Sequence, residues 1–323
     1  VEGLAGRRVL VTGGAGFIGS TLVPTLQAAG ADVVVADRVP YRDPDVPTLL
    51  GDLTDAQVRD RAVHEGLDGI VHLAAITSVL ESVHDPAGVY RTNVEMTAGL
   101  LELARERGVP RFLMASTNAV VGDVGDTVID EDVAPRPLTP YGATKAAAEM
   151  LMWSYAGSYQ MTTCALRLTN VYGPGMAHKD SFVPRLMRAA RSGGGVRVYG
   201  DGAQRRDFVH VSDAANGFLV GWCSGHVGPL VIGAGRSHNV LELVAAARTA
   251  TGADLPIEHV PAKPGEMPAV IVSVARAASL GYRPGYELAD GLATAWADFA
   301  EAAPADGPEG LVGVGTRGAA TAR

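Results

Sequence analysis

Thr12-Gly-Gly-Ala-Gly-Phe-Ile-Gly19 follows a short β-branched run, Arg8-Val-Leu-Val-Thr12, and opens a helical pattern from Phe17 to Gly30. Gly13, Gly16 and Gly19 recur at a spacing of three. Glycine is required where a chain turns sharply out of a strand, lets its backbone approach a pyrophosphate, and packs a helix closely on that strand. The first turn of the helix, with Phe17 and Ile18, offers unpaired N–H groups and a positive dipole end to phosphate. A second strand, Asp32-Val-Val-Val-Ala-Asp37, ends in an acid near the distance such a site requires. A carboxylate there accepts hydrogen bonds from both ribose hydroxyls and repels a 2′-phosphate, so NAD is expected rather than NADP. Arg38 is the counter-signal, because an arginine at that spot can bind a 2′-phosphate. The plain alternative is a glycine turn with Asp37 capping a strand.

Further runs continue the alternation outward. Gly69-Ile-Val-His-Leu73, Arg111-Phe-Leu-Met-Ala115 and Thr163-Cys-Ala-Leu-Arg167 read as strands. Tyr90 to Gly108, Tyr141 to Tyr159 and His210 to Trp222 read as helices, and Pro229-Leu-Val-Ile232 as a late strand. Apolar strands alternating with helices mark a buried parallel sheet, and right-handed crossovers wind it twice. The expected fold is therefore α/β: a doubly wound, Rossmann-like parallel sheet with a smaller, discontinuous substrate-binding lobe. Residues 1–170 plus about 206–235 are assigned to the dinucleotide-binding domain. About 171–205 and 236–303 are assigned to the lobe, with helices over Asn239–Thr251 and Asp290–Ala302. Residues 304–323, rich in Gly, Ala and Pro, are expected to form a flexible tail.

The 323 residues carry a net charge of −8, which argues against a nucleic-acid footprint. No apolar stretch reaches membrane-spanning length, and no signal peptide is read at the N-terminus. A cytoplasmic location is expected. Cys164 and Cys223 lack metal-ligand spacing; they are read as buried small hydrophobes in a reducing compartment, with no metal expected.

Tyr141 and Lys145 stand four apart, on one face of a helix that opens after Pro140. A phenol is a poor base at neutral pH. An adjacent ammonium, helped by a nicotinamide cation, would lower its pKa and let it take a hydroxyl proton as hydride leaves the same carbon. A strand ending in Ser116-Thr117 precedes the pair.

Together these segments resemble the extended short-chain dehydrogenase/reductase family, in particular its nucleotide-sugar epimerases and dehydratases, over about residues 7–300. The resemblance places Asp52-Leu53 near the adenine, His72-Leu-Ala-Ala75 beside the pyrophosphate, and Asn93 in the next long helix. Leu73, Ala74, Ala75 and Asn93 are thus implied to meet the cofactor, while His72 reads as a packed strand histidine. Thr117 is implied as the third catalytic residue, bonded to the sugar oxygen, with Ser116 and Asn118 beside the substrate. Asn170, in Leu166-Arg-Leu-Thr-Asn-Val-Tyr-Gly-Pro174, and Arg206, in Arg205-Arg-Asp-Phe-Val-His210, are implied to hold the substrate diphosphate. Charge-assisted forks suit arginine to that task. Taken alone, Arg205 and Arg206 would read as a solvated turn or a salt bridge to Asp207. The Lys263-Pro-Gly-Glu266 loop is implied to meet the nucleoside ribose. Val270 falls near a pocket-lining position, with core packing as its plainer job.

The resemblance implies an epimerase acting on a nucleotide-sugar, a UDP-hexose at C4, through a 4-keto intermediate. In 4,6-dehydratases an acidic Asp-Glu pair follows the Thr; here Asn118-Ala119 stand there, so the extra acid and base of dehydration are missing. Val120-Val121-Gly122 also departs from the family's Val-Tyr-Gly, removing an aromatic ring near the sugar. Dehydration, uronic acid decarboxylation and a non-catalytic NAD-binding role are the alternatives. A homodimer built from Tyr90–Gly108 and Tyr141–Tyr159 is implied as well.

Overall fold

The computed structural model describes residues 3–262 and 269–300, together with the backbone of 312–314. The first half comprises β1 (Arg8–Thr12), α1 (Phe17–Ala28), β2 (Asp32–Asp37), β3 (Thr48–Leu50), α2 (Ala56–Ala62) and β4 (Gly69–His72). Helices α3 (Val79–His84) and α4 (Pro86–Tyr90) follow; a π-turn over Arg91–Glu95 joins α4 to α5 (Met96–Glu106). Then come β5 (Arg111–Thr117), β6 (Val128–Ile129), α6 (Pro140–Tyr159), β7 (Thr162–Leu168) and β8 (Asn170–Tyr172). The remainder is α7 (Phe182–Ser192), β9 (Val196–Tyr199), β10 (Arg205–His210), α8 (Val211–Ser224), β11 (Gly228–Ile232), β12 (Ser237–Asn239), α9 (Val240–Thr251), β13 (Ile257–Val260), β14 (Ile271–Val272), α10 (Ala275–Ser279), α11 (Leu288–Ala300) and β15 (Val312–Val314).

Seven strands form one sheet in the order β11-β7-β5-β4-β1-β2-β3, and every pairing in it is parallel. The order reverses between β1 and β4, the topological switch point where doubly wound sheets open a crevice at their carboxyl ends. Both faces are covered. Val9 and Val11 of β1 pack toward α1 and α8, which supply Leu22, Leu26, Phe218 and Trp222. Leu10, between them, points to the opposite face, against α2, α5 and α6 through Val58, Leu100, Leu101 and Met152. That alternation is the pleat of a strand buried on both sides. Each fully buried side chain of this kind contributes about 1.5–3 kcal/mol.

A second core lies beyond β7. Tyr172 packs with Val183, Leu186 and Met187 of α7, Leu243 and Val244 of α9, and Leu292 and Phe299 of α11. Phe17, the first residue of α1, belongs to this second core, so the helix that begins at the glycine loop also contacts the lobe. Smaller sheets, β12-β10-β8 and β13-β9-β15, complete it.

Two expectations are revised. The expected flexible tail contains a strand: Val312–Val314 pair in parallel with Val196–Val198 on the edge of β9. Cys223 is exposed, because it lies on the outer side of the last turn of α8; Cys164, on β7, is buried as expected. Among the described residues, no helix is long and apolar enough to cross a membrane.

Candidate active site

A cleft of about 640 Å³ opens at the carboxyl ends of β1, β4 and β5. The glycine loop forms its floor. Gly13 has φ +69°, and a Cβ on it would meet the backbone nitrogen of Ala74 at 2.6 Å. Gly19 is equally constrained, since a Cβ there would strike the carbonyl of Gly14. At Gly16 a Cβ would meet only the Gly13 carbonyl, at 3.2 Å, so this glycine keeps the approach from the cleft open. Gly16 is also the N-cap of α1 and has no side chain to satisfy the first turn. Its free N–H groups face a cradle shaped for a pyrophosphate.

Asp37 closes one end. Its Oδ2 accepts from Ala15 N at 3.0 Å, and its Oδ1 from Arg38 N at 2.7 Å. Asp52 accepts from both the amide and the hydroxyl of Thr54, which lowers its pKa, and so remains an anion. Cradle, acidic end and dipole fit a dinucleotide without a 2′-phosphate. Leu53, Leu73, Ala74 and Ala75 line the same cleft, as do Phe17 and Ile18.

The predicted catalytic residues meet at the other end. Thr139 caps α6 by accepting from Gly142 N at 3.2 Å, and Pro140 occupies the first helical position. Tyr141 and Lys145 then enter the cleft from one face of α6, both buried. Thr117 ends β5. Its hydroxyl oxygen accepts from Ala119 N at 3.1 Å, and its side chain acts to lower the Tyr141 pKa. Burial pushes Tyr141 up to about 12, partly offset by Thr117, and pulls Lys145 down to about 8 against the upward pull of Glu149. The expected lowering of the phenol is therefore absent in the protein alone. Desolvation outweighs a lysine that loses its proton first, and a further positive charge is needed to form the phenolate.

Several predicted residues lie outside the cleft lining or have their polar groups engaged by other protein groups. Asn93, fully buried in the π-turn, accepts from Ile76 N and donates to Ile76 O, each at 2.9 Å, and donates to the Thr144 hydroxyl at 3.2 Å. It ties the 73–77 loop to α6 and is not among the cleft-lining residues. Ser116 lines the cleft, but its hydroxyl donates away from it, to Glu149. Asn118 starts a 3₁₀ turn outside the cleft lining. Asn170 lines the cleft while its amide donates to the Asp207 carbonyl at 2.8 Å. Arg206 is buried beside the cleft, with Nη1 on its neighbour's carbonyl at 2.7 Å, and is not among the lining residues. Val270 is buried in a small core with Val120 and Val121. Lys263 and Glu266 lie outside the described residues.

Sequence reading missed three groups. Thr12 and Thr97 bracket His72. Lys179 lines the lobe side of the cleft. Glu149 and Arg167 pair directly beneath the catalytic residues, at 2.9 Å. Only Glu149 carried a readable signal, as the next residue in the Tyr141, Lys145 series of four.

A doubly wound sheet, a glycine cradle ending in an acid, and a Thr-Tyr-Lys cluster at its far end define a dinucleotide-dependent enzyme. The chain belongs to the NAD dependent epimerase/dehydratase family, whose model matches residues 9–222. Its cofactor is NAD. A dTDP-glucose 4,6-dehydratase of Streptomyces griseus is 36% identical over 308 residues, covering 89% of this chain and 93% of the relative. The structure of the Thermus thermophilus UDP-glucose 4-epimerase with NAD superposes with a TM-score of 0.85 at 33% identity, covering 92% of this chain and 100% of that one. MoeE5, solved with UDP-glucuronic acid and NAD, gives 0.81 at 38% identity, covering 90% and 99%.

Proposed function

We propose that the protein epimerises a nucleotide-sugar, a UDP-hexose, at C4. One observation carries this over dehydration. Among the described residues lining the cleft, the only carboxylates are Asp37 and Asp52, and both sit at the ribose end of the cofactor site. Beside Thr117 stand Asn118 and Ala119, which cannot supply an acid and a base to expel the C6 hydroxyl. The Thr117, Tyr141 and Lys145 set, by contrast, suffices for oxidation and its reversal.

Tyr141 takes the proton of the C4 hydroxyl as the carbon–oxygen double bond forms. Thr117 holds that oxygen, and Lys145 stabilises the phenolate. NAD, which the glycine loop and Asp37 would hold, would supply a reversible hydride acceptor for C4 and a positive charge near the phenol. Tyr141 then gives its proton back.

The test is mass and NMR analysis of products from UDP-glucose, UDP-galactose, UDP-glucuronic acid and dTDP-glucose. Unchanged mass with inverted C4 is the expected result. Loss of water would favour the second reading, a 4,6-dehydratase, which the likeness to the Streptomyces griseus enzyme supports; loss of carbon dioxide would indicate a decarboxylase. Tyr141→Phe is expected to keep NAD bound and to lose turnover about a thousandfold or more. Normal turnover by that variant would overturn the mechanism.

A further inference from the structure

Glu149 lies one helical turn beyond Lys145 on α6, as Lys145 lies one turn beyond Tyr141. The three share a face. The Glu149 carboxylate is fixed from two strands. Oε1 accepts from the Ser116 hydroxyl of β5 and from Nε of Arg167 on β7, the latter at 3.2 Å. Oε2 accepts from Nε at 3.2 Å and from Nη2 at 2.9 Å. The Glu149 and Arg167 side chains are only 9% and 4% exposed. Arg167 donates onward from Nη1 to the Glu131 carbonyl at 3.3 Å, and Glu131 Oε1 accepts from Val231 N at 2.9 Å.

Such a pair is a poor way to stabilise a fold. Desolvating two charges offsets most of their attraction, and apolar residues of similar volume often do as well. Its purpose is found in what its field reaches. Lys145 is 1% exposed. The titratable groups around it are Tyr141 and Glu149 on α6, His72 on β4, and Arg167 on β7, with Glu131 behind Arg167. Burial pushes His72 down to about 3, so it brings no charge near neutral pH. The Tyr141 phenol is neutral until it reacts. Arg167 is engaged by Glu149. Glu149 is thus the anion acting on Lys145, and it opposes the burial that strips the ammonium of its proton.

We propose that Glu149 is a positioning residue that keeps the Lys145 ammonium charged, with Arg167 and Ser116 locking its carboxylate beneath the catalytic helix. The inference rests on the Tyr141–Lys145 chemistry proposed above. Removing the negative charge lowers the lysine's proton affinity, so the ammonium is lost at lower pH and the phenolate loses its partner.

The sequence contains three lysines, Lys145, Lys179 and Lys263, so Lys145 can be observed directly. In full-length protein labelled at the lysine ε-carbon, K179R and K263R assign the other two signals. Glu149→Gln is expected to lower the Lys145 titration midpoint by about one pH unit or more, at least tenfold in proton affinity. The alkaline limb of kcat for UDP-glucose or UDP-glucuronic acid should move the same way, with KM little changed. Since the single substitution Glu149→Gln leaves Arg167 unpaired, Glu149→Gln with Arg167→Gln is the companion variant. It removes the buried charge, should melt near wild type, and should still titrate below it. A wild-type midpoint in either folded variant would overturn the assignment. Absence of NAD-dependent turnover by the wild type on every sugar tested would overturn the proposed function instead, while the lysine titration would still decide the role of Glu149.

Discussion

Nδ1 of His72 lies 2.7 Å from the Oγ1 of Thr12, and this buried contact joins the end of β4 to the start of the glycine loop. The opposite nitrogen, Nε2, lies 3.0 Å from the Thr97 hydroxyl. Thr97 donates its own proton to the Asn93 carbonyl at 2.7 Å, so its oxygen must accept from Nε2–H. The ring is then the Nε2–H tautomer, and Nδ1 accepts from Thr12. A protonated ring would place a second donor against Thr12 in a buried site.

Acid should therefore destabilise the protein through His72. Burial first, and then the Lys145 charge, push its pKa from 6.5 down to about 3. Between those values the unfolded chain binds a proton that the folded one does not. Stability is then lost as pH falls through 6.5 toward 3, with a slope approaching about 1.4 kcal/mol per pH unit. Urea midpoints measured across this range should show that slope, and His72→Gln should flatten it. An equal acid slope in the variant would assign the effect to other groups.

Asp37 is expected to set the cofactor choice. Its carboxylate is held against the loop by Ala15 N at 3.0 Å, where a 2′-phosphate would meet a fixed negative charge. Asp37→Ser removes that charge and leaves Arg38 beside the site. The ratio of NAD to NADP affinity should fall at least tenfold, equivalent to about 1.4 kcal/mol or more. Isothermal titration with both cofactors measures it; an unchanged ratio would mean that discrimination lies elsewhere.

The contrast between Asp37 and Asn93 shows what a sequence discloses. Asp37, the glycines and Tyr141–Lys145 are legible because each acts within one strand–turn–helix unit, where spacing alone fixes geometry. Asn93, Ser116 and Arg167 act between elements distant in sequence, and only packing decides where their side chains point. The resemblance implies that Asn93 meets the cofactor; in the structure its amide is engaged by Ile76 and Thr144. The small strands of the lobe are illegible for a related reason. Their ladders form with partners far along the chain, so short runs such as Val196–Tyr199 carry little periodic signal.

Asn93 should thus matter for cofactor retention through structure. Its amide makes three hydrogen bonds in a fully buried site, holding the 73–77 loop to α6. Asn93→Leu leaves both Ile76 backbone groups unsatisfied, at about 1–3 kcal/mol each. A lower thermal midpoint and faster loss of NAD during dialysis are expected, with the reaction itself still running in excess NAD. A variant as stable and as NAD-loaded as wild type would refute the tether.

The implied homodimer is tested at α6. Met150 and Trp153 on α6 are 62% and 60% exposed. Large exposed apolar side chains on a helix favour burial against a partner surface. A second copy of the chain, related by a twofold axis, would bury these side chains against their equivalents in an isologous contact. Tyr141 and Lys145 line the cleft whereas Met150 and Trp153 do not, so such an association would leave the cleft open. Trp153→Glu places a charge at the centre of that contact. Light scattering at micromolar concentration should give twice the monomer mass for the wild type and the monomer mass for the variant, with Tyr141 and its neighbours still able to bind NAD. A monomeric wild type, or a variant that remains dimeric, would exclude this face as the interface.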